Sequence, residues 1–376
     1  MTWTTMKAAA TYLDHNATSP LRPAARSAVL AALEVCGNAS SVHGFGRKAR
    51  GLLDDARQDL AHLFGAGSGQ LVFTSGATEA NNQALLTAKQ GPILLSAGEH
   101  DSLLQSCADA EIIPLCENGL VDLEWLAARL SRKPTPAMVS VMLVNNETGV
   151  VQPLEDVVTL AKSVGALVHC DAVQAAGKLR LSFSELGVDL LSLSAHKIGG
   201  PAGCGLLIQR DGLSVTPLVR GGGQERRRRA GTENLIGIVG FAAAAREAEQ
   251  GRQDAMDRLG AWRQAFEDAV LAEAPEAVIY GDGAPRVANT ICLGVPRLPA
   301  ETQVMAMDLA GFAVSAGSAC SSGKVTPSHV LRAMGVEPDA AASAIRISLG
   351  WNSQAEDLPQ FLKAWLALYD RSRAAA

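Results

Sequence analysis

Ser192-Leu193-Ser194-Ala195-His196-Lys197-Ile198-Gly199-Gly200-Pro201 sets one lysine at the end of a short apolar run, between small polar residues and a glycine-rich turn. The run reads as a buried strand and the turn as its exit. A lysine nucleophile must lose its proton near neutral pH, and a semi-buried strand end among hydroxyls and an imidazole depresses the pKa of its ammonium. Lys197 is therefore a candidate Schiff-base lysine. An isolated S-x-H-K is more often a surface-loop lysine, so the reading depends on partners elsewhere in the chain.

Outward from Lys197, short β-branched or leucine-rich runs alternate with helical patterns. Residues 71–74, 93–96, 112–115, 139–144, 167–170, 190–193 and 205–208 read as buried strands, with amphipathic or alanine-rich segments between most of them. That alternation predicts an α/β domain with a largely parallel central sheet. Residues 153–163 carry the signals of a connecting helix: Pro153 at its start, Glu155 and Asp156 in its first turn, Lys162 near its end and Gly165 as its stop. An alanine-rich helical stretch over 235–274 leads out of this domain. Beyond it, strand-like 290–293, 313–315 and 344–349 alternate with helices such as 301–309 and a last one opening near Ser353, with Glu356 completing a capping box. We expect a large α/β domain over 13–252 and a smaller α+β domain formed by 1–12 and 253–376.

The chain has 376 residues, 48% apolar and 19% charged, with a formal net charge of -5. This balance suits an ordinary globular enzyme and argues against nucleic acid as the partner. The basic run from Arg226 to Arg229 is too short for a binding face. Seven cysteines with no C-x-x-C pair suggest neither a disulfide framework nor a stable metal site. Met1 to Ala10 lacks the pattern of a secretory signal, and no apolar run reaches membrane-spanning length. A cytoplasmic protein with no membrane partner is expected.

Three further segments converge on the lysine. Residues 71–82 run from a strand through Ser75-Gly76-Ala77-Thr78 into a helix, the build of a phosphate cradle, although a tight turn without a ligand has the same form. Asp171 follows a strand, where it can serve as a helix N-cap or hold a protonated pyridine nitrogen. Asn145 and Asn146 follow another strand, as turn formers or as amides at the same sheet edge. All lie at the carboxyl edge of one sheet, where open α/β folds bind ligands.

With these residues in hand, the chain resembles the class V aminotransferase-type pyridoxal phosphate enzymes of fold type I. Within them it resembles the cysteine desulfurases of the NifS/IscS type. The similarity is carried by 12–18, 38–43, 73–79, 99–100, 144–149, 171–174, 194–197, 221–232, 315–322 and 345–350. The chain departs from the family pattern at His15, at Gly199-Gly200 and in the extra arginines of 226–229, and its tail after Leu368 is short.

The resemblance implies pyridoxal 5'-phosphate held covalently by Lys197. Asp171 would meet the pyridine nitrogen, Gln174 and Asn146 the phenolic oxygen, and His100 the ring face, where it assists proton transfer. Ala77, Thr78, Ser194 and His196 would hold the phosphate, and Thr232 would reach the phosphate of a neighbouring subunit, implying a homodimer. Arg346, with Asn146, would bind the α-carboxylate of L-cysteine. Cys320, in the small-residue loop 315–323, would be the mobile nucleophile that leaves with the substrate sulfur as a persulfide. A lone cysteine is commonly a buried structural one, but the serines and glycines around Cys320 argue against core packing. The sulfur would pass to an acceptor such as an iron-sulfur scaffold, with Cys320 a transient cluster ligand. Selenocysteine lyase, cysteine sulfinate desulfinase, a small-substrate aminotransferase and an inactive scaffold are the alternatives. The complete set of Lys197, Asp171, His100, Cys320 and Arg346 argues against the last.

Overall fold

The computed structural model describes residues 10–88, 91–317 and 327–374. Its main sheet has seven strands in the order Leu71–Thr74, Gly205–Gln209, Leu190–Ser194, Leu167–Asp171, Met138–Ser140, Ile93–Ser96 and Glu111–Ile113. Gly205–Gln209 runs antiparallel to both its neighbours, and the remaining pairs are parallel. Successive side chains point to opposite faces of a strand. Leu71, Phe73, Leu191, Leu193, Leu206 and Ile208 thus enter one apolar core, while Val72, Leu190 and Leu207 enter another on the opposite face. Both faces are covered, which is why these strands read as continuous apolar runs instead of alternating ones.

The strand ends are shaped by local chemistry. The strand expected over 112–115 closes at Ile113 because Pro114 offers no N–H to the ladder. The strand expected over 139–144 closes at Ser140, where its neighbour Ile93–Ser96 turns away. Val141 and Leu143 still donate to the carbonyls of His169 and Asp171, which keeps 141–146 against the sheet edge. The helix expected over 235–274 breaks at Gly251 into Leu235–Gln250 and Arg252–Glu273.

A four-stranded antiparallel sheet has the order Ser315–Ala316, Ile345–Ser348, Thr290–Gly294 and Val278–Ile279. The strand expected over 313–315 is split at Val314. Phe312–Ala313 pairs with Thr11–Tyr12, whereas Ser315–Ala316 joins the four-stranded sheet. This sheet and the helices Arg252–Glu273 and Asp357–Ala374 enclose a core of Leu13, Phe266, Ile291, Leu293, Ile345, Ile347, Phe361 and Trp365. The last helix starts at Asp357 without the expected capping box, because Ser353 Oγ accepts from Gly350 N instead. Among the described residues, no helix is long and apolar enough to cross a membrane.

Candidate active site

The turn after Lys197 is fixed by close approach. Gly199 has φ +82°, and a Cβ there would lie 2.7 Å from Arg22 Cγ and 2.9 Å from Pro20 O. Gly240 has the same duty from the far side, since a Cβ would come within 2.6 Å of Pro201. The opening segment therefore lies directly over the lysine: Ser19 N donates to His196 O, and Lys197 Nζ donates to Asn16 O at 2.7 Å and Ala17 O at 2.8 Å.

A cavity of about 390 Å³ is lined by Ala77, Thr78, His100, Asn146, Asp171, Gln174, Ser194, His196, Lys197 and Arg346, gathered from both sequence halves. At one end is the N-terminus of the helix Ala77–Leu85. Its N-cap, Gly76, supplies no side chain to the free amides, and a Cβ placed there meets no atom within 4 Å. Free amides, open space and the positive helix end fit an anion. Gly205 permits the turn, since a Cβ there would strike the Gly76 backbone at 2.4 Å.

His196 shares a hydrogen bond of 3.1 Å with Thr18 Oγ1. Burial and then the charge of Lys197 lower its pKa to about 4, so at neutral pH it is a hydrogen-bonding group without charge. Asp171 is 5% exposed. Its carboxylate accepts from Val173 N at 3.0 Å and Asn81 Nδ2 at 2.7 Å, and Asn81 also donates to Ser102 Oγ at 2.9 Å. His100 caps the short helix Asp101–Leu104, its Nδ1 accepting from Ser102 N at 3.0 Å. The neutral ring consequently carries its proton on Nε2. Gln174 Nε2 donates to Asn16 O at 2.9 Å, and Gln174 Oε1 accepts from Lys178 Nζ at 2.6 Å.

Arg346 is 3% exposed. Nη2 pairs with Asp14 Oδ1 at 2.7 Å, Nη1 donates to Asn146 O at 3.2 Å, and Nε has no partner although it is buried. An orphaned guanidinium N–H in a cavity wall is a built donor for an anionic ligand.

Two predicted site residues are not among the cavity's lining. Thr232 is exposed and lies with Arg229 and Asn234 in an adjoining cleft that shares Ser75 and Gly203 with the cavity wall. Cys320 lies outside the described residues. Sequence reasoning missed Asn16, Lys178, Asn81 and Ser102 as supports of the site. Asn16 and Asn81 stood inside segments already singled out, and Lys178 follows Gln174 by four residues, but nothing in their types announced their partners. No group of three or more metal-ligating side chains is present among the described residues.

Residues 11–361 match the aminotransferase class V family model. The chain is 42% identical to a cysteine desulfurase of Cereibacter sphaeroides over 96% of either chain. It is 39% identical to the cysteine desulfurase IscS of Dictyoglomus turgidum, over 92% of this chain and 91% of that one. The solved structure of a NifS-like protein from Rickettsia africae superposes with a TM-score of 0.90 at 32% identity, covering 96% of this chain and 99% of the other. The chain belongs to the class V aminotransferase family, among the cysteine desulfurases of the NifS and IscS kind.

Proposed function

We propose that this chain is a pyridoxal phosphate-dependent cysteine desulfurase, which takes sulfur from L-cysteine, releases L-alanine and holds the sulfur as a persulfide on Cys320. The observation that carries the reading is the convergence of Lys197, the Asp171 carboxylate and the uncapped helix end at Ala77 on one cavity, with Arg346 in the same wall. These donors fit the cofactor at both ends. Ala77, Thr78, Ser194 and His196 would hold its phosphate, Asp171 its pyridine nitrogen, Gln174 and Asn146 its phenolic oxygen, and His100 its ring face. Lys197 would hold it covalently. When bound, pyridoxal phosphate supplies an electron sink for the negative charge left on loss of the substrate α-proton.

The chain's own residues supply the rest. Arg346 receives the substrate carboxylate, its orphaned Nε–H adding to the Nη groups already oriented by Asp14 and Asn146. Lys197 as free amine takes the α-proton, and His100, with its proton on Nε2, is placed to donate. The Cys320 thiolate attacks the substrate sulfur: an S–S bond forms, the Cβ–S bond breaks, and Cβ gains a proton. Cysteine plus enzyme thiol thus becomes alanine plus enzyme persulfide, with no outside oxidant or reductant. Among the other cysteines, burial pushes the thiols of Cys170 and Cys292 up and that of Cys204 to about 12, so these are protonated at neutral pH and are poor nucleophiles.

The persulfide passes to a sulfur-acceptor protein of the iron-sulfur scaffold class, with Cys320 as a transient cluster ligand. The protein acts in the cytoplasm as a homodimer in which Thr232 completes the partner's phosphate site, a role its exposed position favours. The large domain spans 13–252 and the small one 1–12 with 253–376. The second apolar core, which apart from Leu13 draws only on residues 259–369, supports this division, although the first core also takes in Tyr280, Cys292 and Leu331 from beyond residue 252. The reading is tested by incubating the purified protein separately with L-cysteine, L-selenocysteine and cysteine sulfinate while following alanine. Fastest turnover with L-cysteine is expected; preference for either analogue would replace it with that activity.

A further inference from the structure

Lys197 also lines a second cavity of about 400 Å³, behind the first, and is the one described residue common to both. Lys178 lines this second cavity and reaches across the wall. Its Nζ donates to Asn16 Oδ1 at 2.9 Å and Gln174 Oε1 at 2.6 Å. Asn16 therefore carries both lysines, Lys178 on its side-chain oxygen and Lys197 on its backbone oxygen. Gln174 closes the ring by donating to the same backbone oxygen.

We propose that Lys178 is a positioning residue for the reacting lysine: through Asn16 and Gln174 it fixes where the Lys197 amine is held, and in its charged form it favours the uncharged form of that amine. This rests on the reading of Lys197 as the cofactor lysine. Two amines tied to one asparagine repel when both are charged, so they titrate as a pair, one losing its proton early. Burial is the main cause that lowers the pKa of Lys178 well below the ordinary lysine value; Lys197 and then Arg346 add to it, and the Lys197 share alone is the reciprocal of the coupling.

Other groups face the pair from both sides. In the second cavity, Arg22 is paired with Glu247 at 3.4 Å, while Asp254 and Arg258 are of opposite sign. His15, lowered to about 4 chiefly by burial, is neutral. In the first cavity, Arg346 is paired with Asp14 and Glu79 with Arg229, and His196 is neutral. His100 lies in that wall too, and Asp171 opposes the repulsion. Lys178 is the amine bonded to the same asparagine as Lys197.

The test follows the visible band of the lysine-bound cofactor against pH in wild-type, Lys178→Gln and Lys178→Arg protein. Glutamine keeps a donor for the two amide oxygens and removes the charge; arginine keeps both. We expect Lys178→Gln to move the transition upward by about one pH unit, and Lys178→Arg to leave it near the wild-type position. Weaker cofactor retention in Lys178→Gln with an unmoved transition would reduce Lys178 to a structural role and overturn the proposal. Should the variants fail to fold, lysine Cε carbon-13 resonances of the full-length wild-type chain decide. Two coupled steps, one well below the ordinary lysine range, support the pair, while single ordinary titrations throughout overturn it. Borohydride reduction of the loaded protein and mapping of the labelled peptide tests the cofactor lysine separately: a label away from Lys197 defeats that assignment, whatever the lysine titrations show.

Discussion

Asn81 Nδ2 donates to the Asp171 carboxylate at 2.7 Å, so the helix that opens the anion-binding turn also orients the acid assigned to the pyridine nitrogen. One short helix thereby registers both ends of the proposed cofactor site. A hydrogen bond to a charged group contributes about 1.5–3 kcal/mol. Asn81→Ala is accordingly expected to lower the rate of alanine formation by about 10- to 100-fold, with weaker retention of the visible cofactor band. Asn81→Asp sets a second carboxylate against Asp171 and should lose more, because one of the two acids must take up a proton. Steady-state kinetics and absorbance on the same samples check both outcomes.

Arg346 is held by Asp14 and the Asn146 carbonyl, which fixes the plane of its guanidinium. Arg346→Lys keeps the charge but loses the planar fork. A rise of about tenfold or more in KM for L-cysteine, exceeding any fall in kcat, is the expected result. Loss confined to kcat would show that the side chain does not hold the ground-state carboxylate.

Sequence reading located much of this site because its main residues close strands or open helices, positions set by local pattern. Asp171 and Ser194 end parallel strands, and Ala77 starts the helix after another. The supports were hidden because they act across long chain separations. Asn16 meets Lys197 only because the turn at Gly199, with no room for a Cβ against Arg22 and Pro20, brings the opening segment over the strand end. The strand over 313–315 was misread for a related reason. Its switch between two sheets at Val314 depends on partners, Thr11–Tyr12 and Ile345–Ser348, that lie far away in sequence.

Glu99 is completely buried, with Oε1 accepting from Met142 N at 2.6 Å and Oε2 unpartnered. Burial, then the like charge of Asp171, raises its pKa well above 4.5. The folded chain keeps a proton that the unfolded chain releases above that value. The stability linked to this proton is fully present below the unfolded pKa and is lost as pH rises through the folded one. Glu99→Gln keeps the acceptor and cannot ionise. Its melting temperature is expected to match wild type near about pH 4 and to exceed it near about pH 9; parallel melting curves at both pH values would remove Glu99 as the cause.

The proposed composite dimer site predicts complementation between variants. Lys197→Ala and Thr232→Ala proteins should each be inactive or strongly impaired. A hybrid of the two has one site with both residues intact. Equal mixing after subunit exchange should recover about a quarter of the wild-type rate. Recovery no greater than the sum of the separate variants would place Thr232 outside the partner's site.

In the proposed reaction, sulfur leaves L-cysteine on Cys320. The most direct measurement treats wild-type and Cys320→Ala protein with L-cysteine, counts alanine formed in the first turnover, and maps thiol-trapped peptides by mass spectrometry. One added sulfur on the Cys320 peptide and one alanine per active site are expected, with neither product at a comparable rate from Cys320→Ala. Alanine and transferable sulfur formed by Cys320→Ala at the wild-type rate would contradict it.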